Sequence, residues 1–381
     1  MSFIGKTLRV AGYLTCFLAI IVGLVLSGIP ARMGVFRWLT RTVPALYQAQ
    51  GLVAATVQLP VGYTFQQLEA LDLTGQRALV TGANSGVGFG IANMLARQGA
   101  DVTLVCRSEA KCDAAIEKIR SDPKFHSSNP QIEGMIADVS DLSSVKKFSE
   151  EYVARRGRDA ALDMLFLNAG IGFTAPTETG AAPLSKDGIS FLFATNVVGH
   201  HLMFKKVRPL LDRAAAARIV CTSSGGNYQT FEYGVATDLE TLNAAPSSME
   251  SYGESKLAQI LFTQELTRKS GPNSNLYANS FHPGAVKTGI WAKVAWPESW
   301  RRVIVPIIDW LQDNVMHDVE SGALTGVFLG AAKDEIVRKD IRGKYFHPQV
   351  FEMIPNPLHA SNLTLQTKLF EFLDELVEPF I

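Results

Sequence analysis

No sign of charge predominates in this chain. Lys plus Arg and Asp plus Glu stand at 36 each over 381 residues, so there is no global basic field to gather nucleic acid. Cysteine is scarce. Cys16, Cys106, Cys112 and Cys221 show neither the paired spacing of a metal site nor a disulfide framework, and Cys16 lies in an apolar run. That spacing predicts a reducing compartment for the soluble part and no metal centre. No internal repeat or low-complexity tract is visible beyond the alanine run Ala214–Ala217. Hydrophobic residues make up 47% of the chain, enough for one large core or two smaller ones.

The stretch Arg77–Arg97 organises what is there. Arg77–Thr81 reads as a short buried strand, and Gly82, Gly86 and Gly88 punctuate a tight turn. From Gly86 onward Val87, Ile91, Met94 and Leu95 recur at helical spacing. Strand, glycine-rich turn and helix form the first half of a dinucleotide-binding βαβ unit. The glycines let the backbone approach a pyrophosphate, to which the helix N-terminus offers free N–H groups and partial positive charge. The alternative is a merely structural strand-to-helix turn.

Before this unit, Val10–Ile29 carries no charged residue and is long enough to span a bilayer as a helix. It exceeds the usual length of a cleavable signal core, so a single-pass N-terminal anchor is expected. Lys6 and Arg9 precede it and Arg32, Arg37 and Arg41 follow, too even a balance to set its orientation. Thr42–Gln67 is also uncharged but is interrupted by glutamines and two prolines. It reads as a membrane-hugging connector, with a second span as the alternative. The expected division is an anchor over 1–42, a connector over 43–72 and a folded domain over 73–381.

Beyond the first helix, strands and helices alternate. Strands are expected at Asp101–Cys106, Ile132–Ala137, Leu162–Leu167, Arg218–Thr222, Leu276–Phe281 and Lys344–Phe346. Helices are expected near Glu109–Arg120, Leu142–Arg155, Ile189–Val207, Ser251–Lys269, Val319–Ala332 and Leu363–Leu376. Near-continuous apolar strands separated by helices predict an α/β fold, a Rossmann-type doubly wound parallel sheet covered on both faces.

Tyr252 and Lys256 lie four apart on one of these helices and so share a face. A tyrosine phenol, with an ordinary pKa of about 10, is a poor acid or base at neutral pH. A nearby ammonium, joined by a cationic nicotinamide, favours phenolate and lets the phenol exchange a proton with a carbonyl or alcohol. Alone, such a pair is usually a solvated helix face. Here it closes an ordered set: Thr81-Gly82-x-x-x-Gly86-x-Gly88, Asn168-Ala169-Gly170, Asn196, Ser224, Tyr252-x-x-x-Lys256, then Pro283-Gly284 and Thr288. This set resembles the short-chain dehydrogenase/reductase superfamily over roughly residues 73–381. The stretches TGANSGVG, SKLAQILFTQEL and FHPGAVKT are most similar to its retinol-dehydrogenase-like branch, which includes membrane-anchored reductases of lipophilic carbonyls and the WW-domain oxidoreductase, here without WW modules.

The resemblance implies roles. Tyr252 would be the acid in reduction and the base in oxidation. Lys256 would bind the nicotinamide ribose and lower the Tyr252 pKa. Ser224, rather than its neighbour Ser223, would hydrogen-bond the substrate oxygen, and Asn196 would hold a water in the proton relay. Taken singly, Ser224 also reads as a loop cap and Asn196 as a satisfied helix amide. Gly82, Asn84, Ser85, Gly86, Val87 and Gly88 would line the cofactor cradle, joined by Asn168, Ala169, Gly170, Pro283, Gly284 and Thr288. Arg107, after the second strand, suits the 2′-phosphate of NADP(H) more than the free ribose of NAD(H), its alternative being a merely solvated side chain. Asp138 would contact adenine, its alternative being the N-cap of the following helix, and Val139 would contact adenine beside it. The sequence departs from the family pattern at Leu167, where Asn is frequent. The connection from Ser224 to Tyr252, carrying Phe231, Tyr233 and Met249, is long and leaves the substrate pocket unspecified.

Trp291, Trp296, Trp300 and Trp310 crowd into Ile290–Trp310 beside Arg301 and Arg302, a composition suited to a membrane interface or to a helix packed on its own domain. The expectation is therefore a membrane-anchored oxidoreductase passing hydride between NADP(H) and a carbonyl/alcohol pair on a lipophilic substrate such as a retinoid, steroid or lipid-derived aldehyde or ketone. The endoplasmic reticulum is the favoured membrane, with plastid and mitochondrial membranes as alternatives. The competing reading is a membrane-tethered NADP(H) sensor or scaffold without turnover.

Overall fold

The computed structural model describes residues 63–125, 130–157, 159–172, 182–287 and 317–381. The anchor Val10–Ile29, most of Thr42–Gln67, Thr288 and the tryptophan stretch lie outside these residues. Among the described residues no helix is long and apolar enough to cross a membrane.

The elements run α1 (Phe65–Glu69), β1 (Arg77–Thr81), α2 (Gly86–Arg97), β2 (Asp101–Cys106), α3 (Glu109–Arg120), β3 (Ile132–Ile136), α4 (Leu142–Arg156), β4 (Met164–Leu167) and α5 (Phe191–Phe193). A π-helical turn (Ala194–Val198) leads into α6 (Gly199–Leu211), followed by β5 (Ala217–Thr222), a 3₁₀ turn (Gly225–Tyr228), α7 (Leu239–Ala244), α8 (Met249–Ser270) and β6 (Leu276–Phe281). After residue 317 come α9 (Val319–Ala331), α10 (Lys333–Arg338), β7 (Tyr345–His347), β8 (Phe351–Met353) and α11 (Leu363–Val377).

One eight-stranded sheet has the order β3-β2-β1-β4-β5-β6-β7-β8. All neighbours pair parallel except β7 with β8, which is antiparallel. Successive strand residues point to opposite faces, and both faces are covered. Leu79, Leu165, Leu167 and Ile219 join a core with helices α4, α6, α8 and α11. Ala78, Val80, Phe166 and Val220 join a second core with α2, α3 and α9. This is why the strands read as unbroken apolar runs. The strand order reverses between β1 and β4, the switch point at which open α/β sheets hold their ligands.

Several expectations change in detail. The long helix expected over Ile189–Val207 is broken at its start by the π turn. The edge strand β8 was not expected; with three residues, it is too short to show a period of two. Leu68 and Leu73 are buried and Tyr63 packs on Phe328 with ring centroids 4.7 Å apart, so the end of the connector is part of the folded core. Cys106 and Cys112 form a disulfide with Cα atoms 5.8 Å apart, which corrects the reading of the cysteines as unpaired. The chain turns back from the end of β2 into the first turn of α3, bringing together two residues that their spacing does not mark as partners. The cysteine pattern therefore carries no argument for a reducing compartment.

Candidate active site at the switch point

The glycine turn after β1 has the form its sequence requires. Gly82 and Gly86 take φ of +66° and +56°, a region that side chains disfavour. A Cβ on Gly82 would sit 2.9 Å from the Cα of Ala169. Gly88 lies so close to Asn168 Nδ2 and the Gly82 carbonyl that no side chain fits. Ser85 takes the N-cap position of α2 without a side-chain hydrogen bond, which leaves the first-turn N–H groups uncapped by any side chain. Asn84, partly buried, and Val87, packed beside the second core, flank this cradle.

Asn168 knots the turn to the sheet. Its Nδ2 donates to the Thr81 carbonyl at 2.9 Å, and its backbone N–H and that of Ala169 donate to Thr81 Oγ1 at 2.8 and 2.9 Å. Thr222 Oγ1, at the end of β5, donates to Asn168 Oδ1 at 3.1 Å. Leu167 in place of Asn leaves this knot intact, its side chain being core. Gly170 borders Lys256: a Cβ there would lie 3.5 Å from Nζ. Past β6, Pro283 and Gly284 form the expected turn, Gly284 at φ +88° against the His317 ring.

At the adenine end, Arg107 is exposed just past β2. Asp138 Oδ1 accepts from Ser140 N at 3.0 Å and from Ser140 Oγ at 2.7 Å. The N-cap of α4 is Asp141, which accepts from Ser144 N; the cap reading of Asp138 is thereby removed. Val139 is buried, its carbonyl against Gly199, so only part of that residue can face a ligand.

Ser224, Tyr252 and Lys256 meet beside the cradle. The hydroxyls of Ser224 and Tyr252 share a hydrogen bond. Gly226 backs the phenol ring, and a Cβ there would reach Tyr252 Cε1 at 2.9 Å. Ser223 is spent elsewhere, donating to the Lys256 carbonyl at 2.7 Å. Ser224 also accepts from Gly226 N at 3.1 Å as the cap of the 3₁₀ turn, so its capping and site readings hold together. Asn196 is likewise a satisfied amide: Oδ1 accepts from Ile171 N, and Nδ2 donates to the Ile171 carbonyl and to Ser255 Oγ.

Burial pushes the Lys256 ammonium down to about 8. Burial also raises the Tyr252 phenol above its ordinary value, against the Ser224 hydrogen bond. In the chain by itself, therefore, Lys256 does not bring the phenol down: its Nζ stands 5.7 Å from the ring centroid. It donates instead to the Thr222 carbonyl at 2.9 Å and to Gln259 Oε1 at 3.1 Å. Thr222, Gly226 and Gln259 are not marked by the motifs, and Thr81 enters there only as the first residue of the glycine motif. Only Gln259 carried a signal, one turn beyond Lys256 on the same face.

Glu254 lies between the two site residues along α8 but faces away from them. It is 1% exposed, accepts from Ala236 N at 2.7 Å, and burial raises its carboxyl to about 7. A carboxyl raised in the folded state favours folding below its unfolded value of 4.5, and that benefit is lost as pH rises through about 7. Glu254→Gln keeps the acceptor and removes the charge. Its stability advantage over the parent should grow from near zero at about pH 4 to at most about 3 kcal/mol at about pH 8, as thermal unfolding at both pH values would read.

The short chain dehydrogenase family model matches residues 76–236. A short-chain dehydrogenase/reductase of Armillaria gallica is 33% identical over 69% of this chain and 79% of that protein. Retinol dehydrogenase 14 of Mus musculus is 30% identical over 80% of this chain and 86% of its own length. Among solved structures, levodione reductase superposes with a TM-score of 0.55 at 22% identity, covering 73% of this chain and 97% of that one, a likeness of fold.

Proposed function

Because the chain belongs to the short-chain dehydrogenase/reductase superfamily, in its retinol-dehydrogenase-like branch, we propose that it is an NADP(H)-dependent oxidoreductase of carbonyl/alcohol pairs on lipophilic substrates. The observation that carries this is the hydrogen-bonded Ser224–Tyr252 pair beside a buried Lys256, at the mouth of the glycine cradle. A nucleotide sensor needs the cradle alone.

The residues present suit the cofactor. The cradle that side chains would fill, the first-turn N–H groups of α2 and the exposed Arg107 would hold its phosphates, and Lys256 its nicotinamide ribose. Bound there, NADP(H) supplies or accepts the hydride. Ser224 orients the substrate oxygen towards the phenol. In reduction Tyr252 gives its proton to that oxygen, and in oxidation it takes the proton back. Lys256 keeps a positive charge near the phenolate that reduction leaves behind. Asp138 and Val139 would border the adenine.

The test is NADPH oxidation by purified protein across retinal, steroid and aldehyde panels; NADPH binding without any turnover would favour the sensor. For the cofactor, NADPH should bind more tightly than NADH, and Arg107→Ala should narrow the gap, measured by fluorescence titration. Equal affinities in the parent would remove the NADP preference. As a membrane protein anchored by Val10–Ile29, the full chain should stay with membranes after alkaline carbonate washing; its release would remove the anchor.

A further inference from the structure

Gln259 connects two of the site residues that sequence and family place apart. Its side chain is 3% exposed. Oε1 accepts from Lys256 Nζ at 3.1 Å, and Nε2 donates to the Asn196 carbonyl at 2.9 Å. Only this orientation of the amide works, because an ammonium only donates and a carbonyl only accepts. The same carbonyl faces His200 Nδ1 at 3.1 Å. This carbonyl lies within the π turn at Ala194–Val198, a local break in the i→i+4 ladder.

We propose that Gln259 is a positioning residue of the site, whose amide clamps the Lys256 ammonium to the Asn196 carbonyl and so fixes where, and over what pH range, that ammonium meets the cofactor ribose and the Tyr252 phenol. The proposal rests on the reading of Lys256 as the ribose-holding group. The family resemblance assigns the link from Asn196 to the relay to a water; here a side chain spans the same two groups. Lys256 has three donors, of which Thr222 and Gln259 take two. The clamp aims the third.

The groups facing Lys256 leave a clear window for the test. Cys221 on β5 is raised to about 12, His200 on α6 is lowered to about 4, and His282 beyond β6 is lowered to about 3, each by burial, while Tyr252 on α8 is raised. None of these changes charge near the Lys256 value of about 8. NADPH affinity should therefore fall with rising pH as the ammonium is lost.

Gln259→Met removes the acceptor at similar volume. The ammonium is then less well held in its charged form. NADPH affinity should drop several-fold at neutral pH, and the alkaline fall should begin one to two pH units earlier, roughly the size of a lost hydrogen bond to a charged group. Gln259→Glu keeps an oxygen on Nζ and adds charge, so the fall should move to higher pH. The measurement is NADPH affinity by fluorescence from about pH 7 to about pH 10, with thermal unfolding alongside. Opposite displacement of the two variants supports the clamp. If both variants only lower the melting temperature and leave the alkaline fall in place, Gln259 is packing and the proposal is overturned. Lys256→Met separates this from the parent reading. If it too leaves the pH dependence untouched, Lys256 is not the ribose group and both readings fail. If it abolishes the dependence while Gln259→Met does not move it, only the clamp fails.

Discussion

Tyr252→Phe should lower turnover by at least about 10²–10⁴-fold, the contribution of a general acid–base group, while NADPH affinity stays close to the parent's. The substitution removes the transferable proton and the hydrogen bond with Ser224. It leaves the ring, which packs on Gly226, and it leaves the cradle, Arg107 and Lys256. Steady-state kinetics on any substrate the panel identifies, paired with a fluorescence titration of NADPH, would read the two effects separately. A variant turning over near the parent rate would mean that another group supplies the proton.

Lys256→Met should behave differently, losing affinity and turnover together. Hydrogen bonds to charged groups contribute about 1.5–3 kcal/mol, so NADPH should bind about 10- to 100-fold more weakly. The pH dependence follows from the direction of the shift. Burial lowers the ammonium from 10.5 to about 8, so its hold on the ribose is present below that value and lost above it. The parent's affinity should fall as pH rises through about 8, and the variant's should stay flat over the same range. A methionine also keeps the buried stem, so thermal unfolding should move little. Unchanged NADPH affinity in this variant would remove Lys256 from the cofactor site.

Much of the site lay open in the sequence because its signals are local. Gly82, Gly86 and Gly88 stand where a backbone must turn with positive φ or pass another backbone without a Cβ. Tyr252 and Lys256 share a helix face by spacing alone. The choice of Ser224 over Ser223 came from resemblance, and the structure gives it a reason: Ser223 is held by the Lys256 carbonyl, and Ser224 meets the phenol. The same locality set limits. Asp138 and Asp141 both stand near the start of α4, and only the backbone path shows that Asp141 caps it.

The alternation of apolar strands and helices, the glycine turn and the Tyr-x-x-x-Lys spacing were determined by the sequence by itself, since periods of two and 3.6 and the steric demands of a turn act over a few residues. What tertiary structure alone decided are the meetings of distant residues. Asn196 and Gln259 are 63 positions apart along the chain and joined through the π turn. Arg218, fully buried, donates to the Gly330 carbonyl at 2.7 Å across 112 positions. Even Cys106 and Cys112, near in the chain, pair only because a strand end folds back on a helix start. No periodicity encodes such contacts; they arise when the sheet and its two helix layers pack, and packing sets which buried polar groups must satisfy one another.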